Sequence, residues 1–371
     1  MNHAETLWSR DPHTAAKHKV LRAYVDGWLG VMASQALKLA RPGGPRPRLL
    51  LLDGFAGPGR YAGGEQGSPL ILLNALIGHS GFKNWGGVDF KLLYIEHERA
   101  RAEHLRSEIA ALGELPSNVT PRVEQGEFEA VFEPMVSPFL RAGIPTFAFI
   151  DPFGYSKSSM SVTGRLLDFP RCEVLYFLPM SFIHRFVGRE GQEPALDSLF
   201  GTTRWRDAIS LDGEARTAFL LALFESQLER SEGVAYVRSF ELRTLDGNDY
   251  RLVFSLGHTK GLELAKDAMW KVDPVGGTTY RAQTDSGQEV LFDKLAVDTG
   301  PLLAELRAKF GTAPFTIEQA ERVTLVDTPF RKAHLRKQTL APAENAGDLE
   351  VLQRGGQWGF KGATMRFVPL G

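Results

Sequence analysis

The chain has 371 residues, of which 43% are hydrophobic and 23% are charged, values that are ordinary for a globular protein of two or three domains. Its formal net charge is −1, so any binding of nucleic acid would have to depend on a local basic patch. The single cysteine, Cys172, excludes an internal disulfide and a cysteine-built metal site, and we predict no metal. No apolar stretch approaches membrane-spanning length, so we expect a cytoplasmic location and no membrane partner.

The first predicted element is a helix over residues 14–39, in which apolar residues recur at three- and four-residue spacing. Lys17 and His18 lie near its start. A basic pair in this position is typical of a solvated helix end, but it would contact the substrate if the helix lined the mouth of a cofactor site. Both residues are therefore candidate substrate contacts.

A strand, a glycine-rich turn and a helix are predicted between residues 49 and 76. Four consecutive leucines indicate a strand buried on both faces, which ends at Asp53. Three glycines follow within six residues: Gly54, Gly57 and Gly59. The turn has neither the lysine of a phosphate loop nor the spacing of a dinucleotide-binding loop. It therefore predicts a ligand that presents an ammonium group to Asp53; the alternative is a tight turn that only joins strand to helix.

Two further strands are predicted over residues 90–96 and 119–125. Glu96 ends the first of them, at the position where nucleotide-binding folds accept hydrogen bonds from ribose hydroxyls. The alternative role for Glu96 is that of an acid at the start of the next helix. Its neighbour His97, and Glu127 after the following strand, complete the candidate cofactor contacts, with Glu127 expected beside an adenine ring.

The fourth predicted strand, residues 146–150, runs directly into Asp151-Pro152-Phe153-Gly154-Tyr155. An exocyclic amine is a poor nucleophile because its lone pair is delocalised into the ring. A side-chain oxygen of Asp151 and the carbonyl of Pro152 would accept the amine hydrogens and direct the lone pair toward a methyl group. Phe153 and Tyr155 are the candidates for stacking on a flipped or unpaired base. The alternative is an ordinary turn.

The two motifs resemble those of a known enzyme class. The form Asp53-x-Phe55-x-Gly57-x-Gly59 resembles motif I of S-adenosylmethionine-dependent methyltransferases, and Asp151-Pro152-Phe153-Gly154 resembles motif IV of amino-methyltransferases. The resemblance implies an α/β, Rossmann-like class I methyltransferase fold, with a mostly parallel sheet and a terminal antiparallel hairpin. It implies S-adenosyl-L-methionine as cofactor, bound by Asp53, Gly54, Phe55, Ala56, Gly57, Gly59, Glu96, His97 and Glu127. It implies catalysis at Asp151, Pro152, Phe153, Gly154 and Tyr155.

The motifs do not identify which amine accepts the methyl group. Phe153 replaces the second proline of the motif, so the adenine or cytosine specificity of that class does not carry over. The same four residues also look like the corresponding motif of certain guanine-N2 tRNA methyltransferases. Within and after the glycine turn, three more residues are candidate substrate contacts: Arg60, Tyr61 and Ser68.

A fifth strand is predicted over residues 173–178, a helical insertion over about 181–230, and then a hairpin whose turn contains Asp246-Gly247. The predicted organisation is a methyltransferase-like domain over 1–276, a polar linker over 277–300, and a winged helix-turn-helix domain over 301–371. In the last domain the basic residues Arg331, Lys332, Arg336 and Lys337 form a candidate nucleic-acid patch. A solvated basic helix or a protein-docking wing is an equal alternative.

Several stretches together resemble the bacterial three-Cys-motif partner protein family (TcmP). They are Lys17-His18, Asp53–Tyr61, Gly67–Pro69, Ile150–Gly154 and Ala268–Pro274. The family name refers to three cysteines in a separate protein that looks like a radical S-adenosylmethionine, iron–sulfur enzyme, so the resemblance implies such a partner.

The favoured prediction is methyl transfer to an exocyclic amine on nucleic acid. A small-molecule or peptide acceptor is one alternative. The other is a non-catalytic, cofactor-binding adaptor for the three-Cys partner.

Overall fold

The computed structural model describes residues 7, 12–152, 154, 157–244, 246–281, 297–356 and 359–369. By its internal contacts the chain divides into two units. The first holds the described residues up to Gly261 together with Tyr280 and Arg281, and the second holds Leu262–Thr279 and the described residues from Val297 onward.

The described residues form helices α1–α14 and strands β1–β11. Up to the hairpin the order is α1 (Pro12–Leu39), β1 (Arg48–Asp53), α2 (Ser68–Ile77), β2 (Asp89–Glu96), α3 (Arg99–Ala110), β3 (Val119–Gln125), α4 (Phe128–Val131), α5 (Ser137–Arg141), β4 (Thr146–Ile150), α6 (Met160–Leu167), β5 (Cys172–Leu178), α7 (Met180–Phe186), α8 (Glu193–Phe200), α9 (Gly213–Leu228), β6 (Tyr236–Arg243) and β7 (Asp249–Leu256). The remaining elements are α10 (Thr259–Val272), β8 (Thr279–Arg281), α11 (Gly300–Phe310), β9 (Phe315–Thr316), α12 (Ile317–Val326), α13 (Lys332–His334), α14 (Ala341–Asn345), β10 (Leu349–Gln353) and β11 (Thr364–Phe367). Of these described helices, none combines the length and the apolar character needed to cross a membrane.

The large sheet has the strand order β3-β2-β1-β4-β5-β7-β6-β8. Strands β1 to β5 pair in parallel, β7 runs antiparallel to β5, and β6 runs antiparallel to β7. This Rossmann-like α/β arrangement confirms the prediction of a mostly parallel sheet that ends in an antiparallel hairpin. The chain leaves β1 toward β2 on one side and places β4 on the other, so the carboxyl ends of β1 and β4 flank the point where the strand order reverses, the usual ligand crevice of such sheets.

Both faces of the sheet are covered. Leu49, Leu50, Leu51 and Leu52 in β1 are all buried, as expected for a strand of a parallel sheet with helices on both sides. On one face the α1 residue Tyr24 packs its ring 5.3 Å from that of Phe147 and 5.0 Å from that of Phe254. The other face forms a large apolar core with α4 to α9. Burial of each leucine side chain contributes about 1.5–3 kcal/mol, which fixes the strand that carries Asp53.

The second unit has its own core, to which α10 contributes. Trp270 belongs to this apolar core, and its indole nitrogen donates a hydrogen bond to the carbonyl of Pro329 at 3.0 Å. Lys266 is 2% exposed and donates to the carbonyls of Thr324 and Phe330, both at 2.9 Å, and to that of Thr328. Helix α10 from Leu262 onward therefore belongs by its contacts to the C-terminal unit, and the domain boundary at residue 276 stays a prediction.

The rest of the second unit combines helices with a small sheet of order β10-β11-β9, in which neighbouring strands are antiparallel. Its third helical segment begins with α13, continues through a π-helical turn over Leu335–Leu340, and ends with α14. Strand β8 lies at the edge of the large sheet, within the segment that the sequence predicts to be a polar linker.

Candidate functional site

Two acidic residues meet at the carboxyl edge of the large sheet. Strands β1 and β4 are adjacent and parallel, with Asp53 opposite Phe149, so Asp151 follows two residues later at the same edge. Lys17 in α1 donates a hydrogen bond to Asp151 Oδ2, in an ion pair that joins residues 134 positions apart. The Lys17 ammonium also lies 4.4 Å from the ring centre of Phe177. Three separately predicted segments thus come together here.

Asp53 has an unusual environment for a carboxyl group. It is completely buried; its Oδ1 accepts a hydrogen bond from the Phe55 amide at 3.2 Å, and its Oδ2 is buried without a hydrogen-bond partner among the described residues. Burial raises the pKa of Asp53 to about 7, against the opposing effects of the Ser68 hydroxyl and the Phe55 amide. The negative charge of Asp151 adds to this rise and the positive charge of Lys17 reduces it. The Asp53 carboxyl therefore titrates near neutral pH.

The glycine turn is held by Glu96 at the end of β2. The amides of Gly57 and Glu98 donate to the two Glu96 carboxyl oxygens at 2.8 and 2.7 Å. Burial raises the pKa of Glu96, and these two amide hydrogen bonds oppose the rise. Gly57 and Gly59 have φ angles of 64° and 88°, a left-handed conformation that residues other than glycine rarely adopt. The spacing of glycines is therefore a requirement of this backbone.

A cavity of about 580 Å³ opens beside the turn, within the range of about 300–1,000 Å³ typical of small-molecule sites. Five of the predicted cofactor contacts line it: Gly54, Phe55, Glu96, His97 and Glu127. A Cβ atom at Gly54 would lie 3.0 Å from the Ile150 side chain and 3.2 Å from that of Phe128, so a larger residue would crowd this wall. The remaining four predicted cofactor contacts are in the turn but are not part of the cavity lining: Asp53, Ala56, Gly57 and Gly59.

Several lining residues were missed by the sequence analysis. Phe128 packs its ring 5.7 Å from that of Phe55. The sequence signal that could have identified it is an aromatic residue directly after the candidate contact Glu127. Arg101 in α3 is buried, and its charge lowers the pKa of Glu96 as a smaller effect than burial and the amide hydrogen bonds. Lys157 and Ser198 have no sequence signal, because only packing of the loop after β4 and of α8 brings them to the cavity.

The predicted substrate contacts lie in different environments. His18 is buried, with its ring 5.9 Å from that of Tyr61. Arg60 forms an ion pair with Glu108 in α3 and donates to the Gly64 carbonyl at 2.9 Å, so it stabilises the turn. Ser68 is the first residue of α2 and does not cap it, because Gly67 occupies the cap position and the Ser68 hydroxyl lies near Asp53 instead.

Of the five predicted catalytic residues, Asp151 is partly exposed, Pro152 is buried and Gly154 is exposed. Phe153 and Tyr155 lie outside the described residues.

The basic residues of the C-terminal unit are largely paired with acids. Arg331 lies 3.6 Å from Asp267, Lys332 forms an ion pair with Glu263, and Arg336 lies 2.6 Å from Glu321. Lys337 is exposed. Three of the four charges of the predicted nucleic-acid patch are therefore compensated within the same unit.

No protein-family model matches the chain, and no curated protein matches it. Among solved structures, a protein described as a methyltransferase from Porphyromonas gingivalis W83 is 13% identical, with 60% of this chain and 43% of that chain covered and a TM-score of 0.28. Trm1 from Pyrococcus horikoshii, in complex with S-adenosyl-L-methionine, is 11% identical, with 71% of this chain and 61% of that chain covered and a TM-score of 0.37. Geranyl diphosphate methyltransferase, in complex with GPP and sinefungin, is 16% identical, with 62% and 78% covered and a TM-score of 0.26. The chain spans less than two thirds of the length of the first two of these structures. Similarities this low do not support a statement about its activity.

Proposed function

We propose that this protein transfers a methyl group from S-adenosyl-L-methionine to an amine, with nucleic acid as the favoured acceptor class. The observation that carries the proposal is the position of Asp53 at the end of β1 and of Asp151 directly after the adjacent parallel strand β4, at the edge where the strand order reverses. Neighbouring carboxyl groups there suit the two reactants of such a transfer, because one reactant has an ammonium group and the other has amine hydrogens to donate.

The residues of the donor side fit S-adenosyl-L-methionine. Asp53 has a buried oxygen without a partner among the described residues. Gly54, which lines the adjacent cavity, leaves no room for a Cβ atom, because such an atom would crowd Phe128. In this assignment Asp53 holds the ammonium group, Glu96 accepts hydrogen bonds from the ribose hydroxyls, and Glu127 lies beside the adenine. When bound, the donor supplies a methyl group on a positively charged sulfur atom.

The acceptor side uses Asp151 and Pro152. Lys17 engages Asp151 Oδ2, which orients the carboxyl and leaves Oδ1 to accept one hydrogen of the incoming amine. The Pro152 carbonyl accepts the other hydrogen. Together these two oxygens direct the nitrogen lone pair and stabilise the positive charge that develops on nitrogen, and Asp151 takes up the proton that the methylated nitrogen loses. Orientation of the two reactants provides much of the remaining acceleration.

The assignment of nucleic acid as acceptor is supported by the residue types after β4, with Phe153 and Tyr155 as the proposed stacking partners of a flipped base. We assign the C-terminal unit to the winged-helix class because α11, α12 and a third helical segment precede the antiparallel strands β10 and β11, and the short strand β9 between α11 and α12 pairs with β11. The compensated charges of that unit suggest that it contributes little to phosphate binding. A three-Cys-motif partner protein stays a prediction from the resemblance.

The test is a transfer assay with radiolabelled S-adenosyl-L-methionine and separated DNA, RNA, peptide and metabolite fractions, with Asp151→Ala as the background. Label in a nucleic-acid fraction is the expected result. Label found only in peptides or metabolites would show that the acceptor is not nucleic acid, whereas the proposal of methyl transfer would stand. If no fraction gains label above the Asp151→Ala background, the proposed function is wrong.

A further inference from the structure

The segment that begins with α7 contains a repeated pair of residues, in which an arginine follows a phenylalanine by three positions. The guanidinium carbon of Arg185 lies 5.4 Å from the ring centre of Phe182, and that of Arg189 lies 5.3 Å from the ring centre of Phe186. Phe182 and Arg185 are neighbours on α7, whereas Arg189 lies in the turn after the helix, where its amide donates to the Phe186 carbonyl at 3.0 Å. In both pairs the arginine is held over the ring. Phe182 is 36% exposed, which is unusual for a large apolar side chain.

The two arginines carry uncompensated charge. Both are exposed, and neither forms an ion pair with any acid in the described part of the chain. Glu190 follows Arg189 directly but does not pair with it. This differs from the C-terminal patch, where Arg336, for example, lies 2.6 Å from Glu321. An exposed guanidinium that rests on an aromatic ring retains its full capacity to bind an anion.

Helix α7 also forms one wall of a second cavity of about 800 Å³, to which it contributes His184 and Arg185. Another part of the wall comes from the β6–β7 hairpin. There Arg251 lies 2.8 Å from Glu241 and 2.9 Å from Asp249, so the charges of that wall are internally paired. Arg185 therefore adds a positive charge to the lining that the hairpin's own ion pairs do not offset.

Glu214 in α9 is the remaining acid of this cavity lining. It interacts electrostatically with Arg243 and adds a negative charge to the hairpin side of the cavity.

The position of this cavity relates it to the candidate acceptor site. Strand β5 lies between β4 and β7, with Ile150 opposite Tyr176 and Leu178 opposite Arg251. Two strand spacings of about 4.8 Å separate β4 from β7, or about 10 Å. At the rise of a stacked strand, about 3.4 Å per nucleotide, about three nucleotides span that distance, and fewer span it when the bases are unstacked. The cavity thus lies at the same edge of the sheet, within reach of residues next to a nucleotide held at Asp151.

We propose that α7 and the adjoining cavity bind the single strand that carries the methyl acceptor. Phe182 stacks on a base, Arg185 and Arg189 contact phosphates, and the cavity holds nucleotides that flank the acceptor. The inference rests on the proposed function, since it names the substrate class of the same site. A single strand fits better than a duplex, because a ring face reaches only an unstacked base, and positive charge combined with exposed aromatic residues is typical of proteins that bind unpaired nucleic acid.

The test measures binding of short fluorescein-labelled single-stranded RNA and DNA, the matching duplexes, and polyglutamate as an anion without bases, across a salt titration. In the double variant Arg185→Gln, Arg189→Gln, the slope of log affinity against log salt for single strands should become shallower by about 1.4, at about 0.7 for each lost phosphate contact. Phe182→Ala should weaken single-strand binding by about 5- to 150-fold and leave polyglutamate binding unchanged.

Two variants serve as matched controls. Arg122→Gln removes an exposed arginine whose charge is already paired with Glu124, and Leu39→Ala removes an exposed apolar side chain at the end of α1. Neither should change strand binding. The inference is overturned if the α7 variants bind single strands with wild-type affinity and slope, if the duplex binds better than the single strand, or if Phe182→Ala weakens polyglutamate binding equally. Calorimetry with S-adenosyl-L-methionine separates the two proposals: donor uptake without strand binding overturns this inference alone, whereas absence of donor uptake overturns the proposed function.

Discussion

The ends of β1 and β4 are neighbours in the sheet, but their aspartates lie in contrasting environments. Asp53 is completely buried, and burial raises its pKa to about 7. Asp151 is partly exposed and is held by Lys17. A buried carboxyl that titrates near neutral pH gains its charge when a cation binds beside it, whereas a carboxyl oriented by an ion pair is ready to accept hydrogen bonds from solvent or substrate. Adjacent strand ends therefore offer two different chemical environments at one edge of the sheet, and the proposed function assigns them to donor and acceptor.

The largest expected effect is on turnover and comes from the acceptor side. Asp151→Ala should lower methyl transfer about 100- to 10,000-fold, the range that a positioned acid–base group contributes. Donor affinity should be nearly unchanged, because Asp53 and the cavity remain intact. Initial rates together with calorimetric titration of the donor measure both quantities. A donor affinity that fell as far as the turnover would break the distinction between the two aspartates.

On the donor side the expected loss is in affinity. Asp53→Asn should weaken S-adenosyl-L-methionine binding about 10- to 150-fold, because a hydrogen bond between charged groups contributes about 1.5–3 kcal/mol. Saturating donor should restore most of the turnover, so KM changes more than kcat. The control is Asp89→Asn, which changes the first residue of β2, at the edge of the sheet away from the site, and it should behave as wild type. A loss of kcat with unchanged KM would assign Asp53 to the chemical step instead.

Removal of Lys17 tests the link between the two positions. Lys17→Gln should lower turnover about tenfold, because Asp151 loses the ion pair that orients it, and Lys17→Arg should recover most of the loss. Lys19→Gln, at an exposed position two residues further along α1, is the matched control. Steady-state rates on all three variants check this. Equal activity of Lys17→Gln and wild type would show that the ion pair has no part in the reaction.

The last expected effect is a dependence of donor affinity on pH. The pKa of Asp53 is raised from 3.8 to about 7, so below pH 7 the carboxyl is protonated and must lose its proton to bind an ammonium group. Affinity should therefore rise by up to about tenfold per pH unit as pH increases toward 7, and level off above it. Calorimetry in buffers of different ionisation enthalpy should detect the released proton. In Asp53→Asn this proton release should vanish; its persistence would assign the titration to another group.

The sequence predicted the ends of β1 and β4 because the information there is local. A run of four leucines requires burial on both faces, and the left-handed conformation of Gly57 and Gly59 requires glycine. The mostly parallel sheet was implied by the resemblance of the two motifs to those of class I methyltransferases, and the Asp246-Gly247 turn signal predicted the hairpin.

What the sequence could not supply depends on contacts between distant segments. The Lys17–Asp151 pair joins residues 134 positions apart, and Ser198 reaches the first cavity only through the packing of α8. The apolar residues of α10 indicated a helix but not the core that it joins, which is that of the C-terminal unit through Trp270. The elevated pKa of Asp53 likewise depends on complete burial, which no local pattern specifies.

The most direct test of the central claim is calorimetric titration of the full-length protein with S-adenosyl-L-methionine, repeated with Asp53→Asn and Asp151→Asn. We expect binding to the wild type and to Asp151→Asn with similar affinity, and much weaker binding to Asp53→Asn. Wild-type protein that takes up no donor, or a loss of affinity confined to Asp151→Asn, would contradict the assignment of donor and acceptor to these two strands.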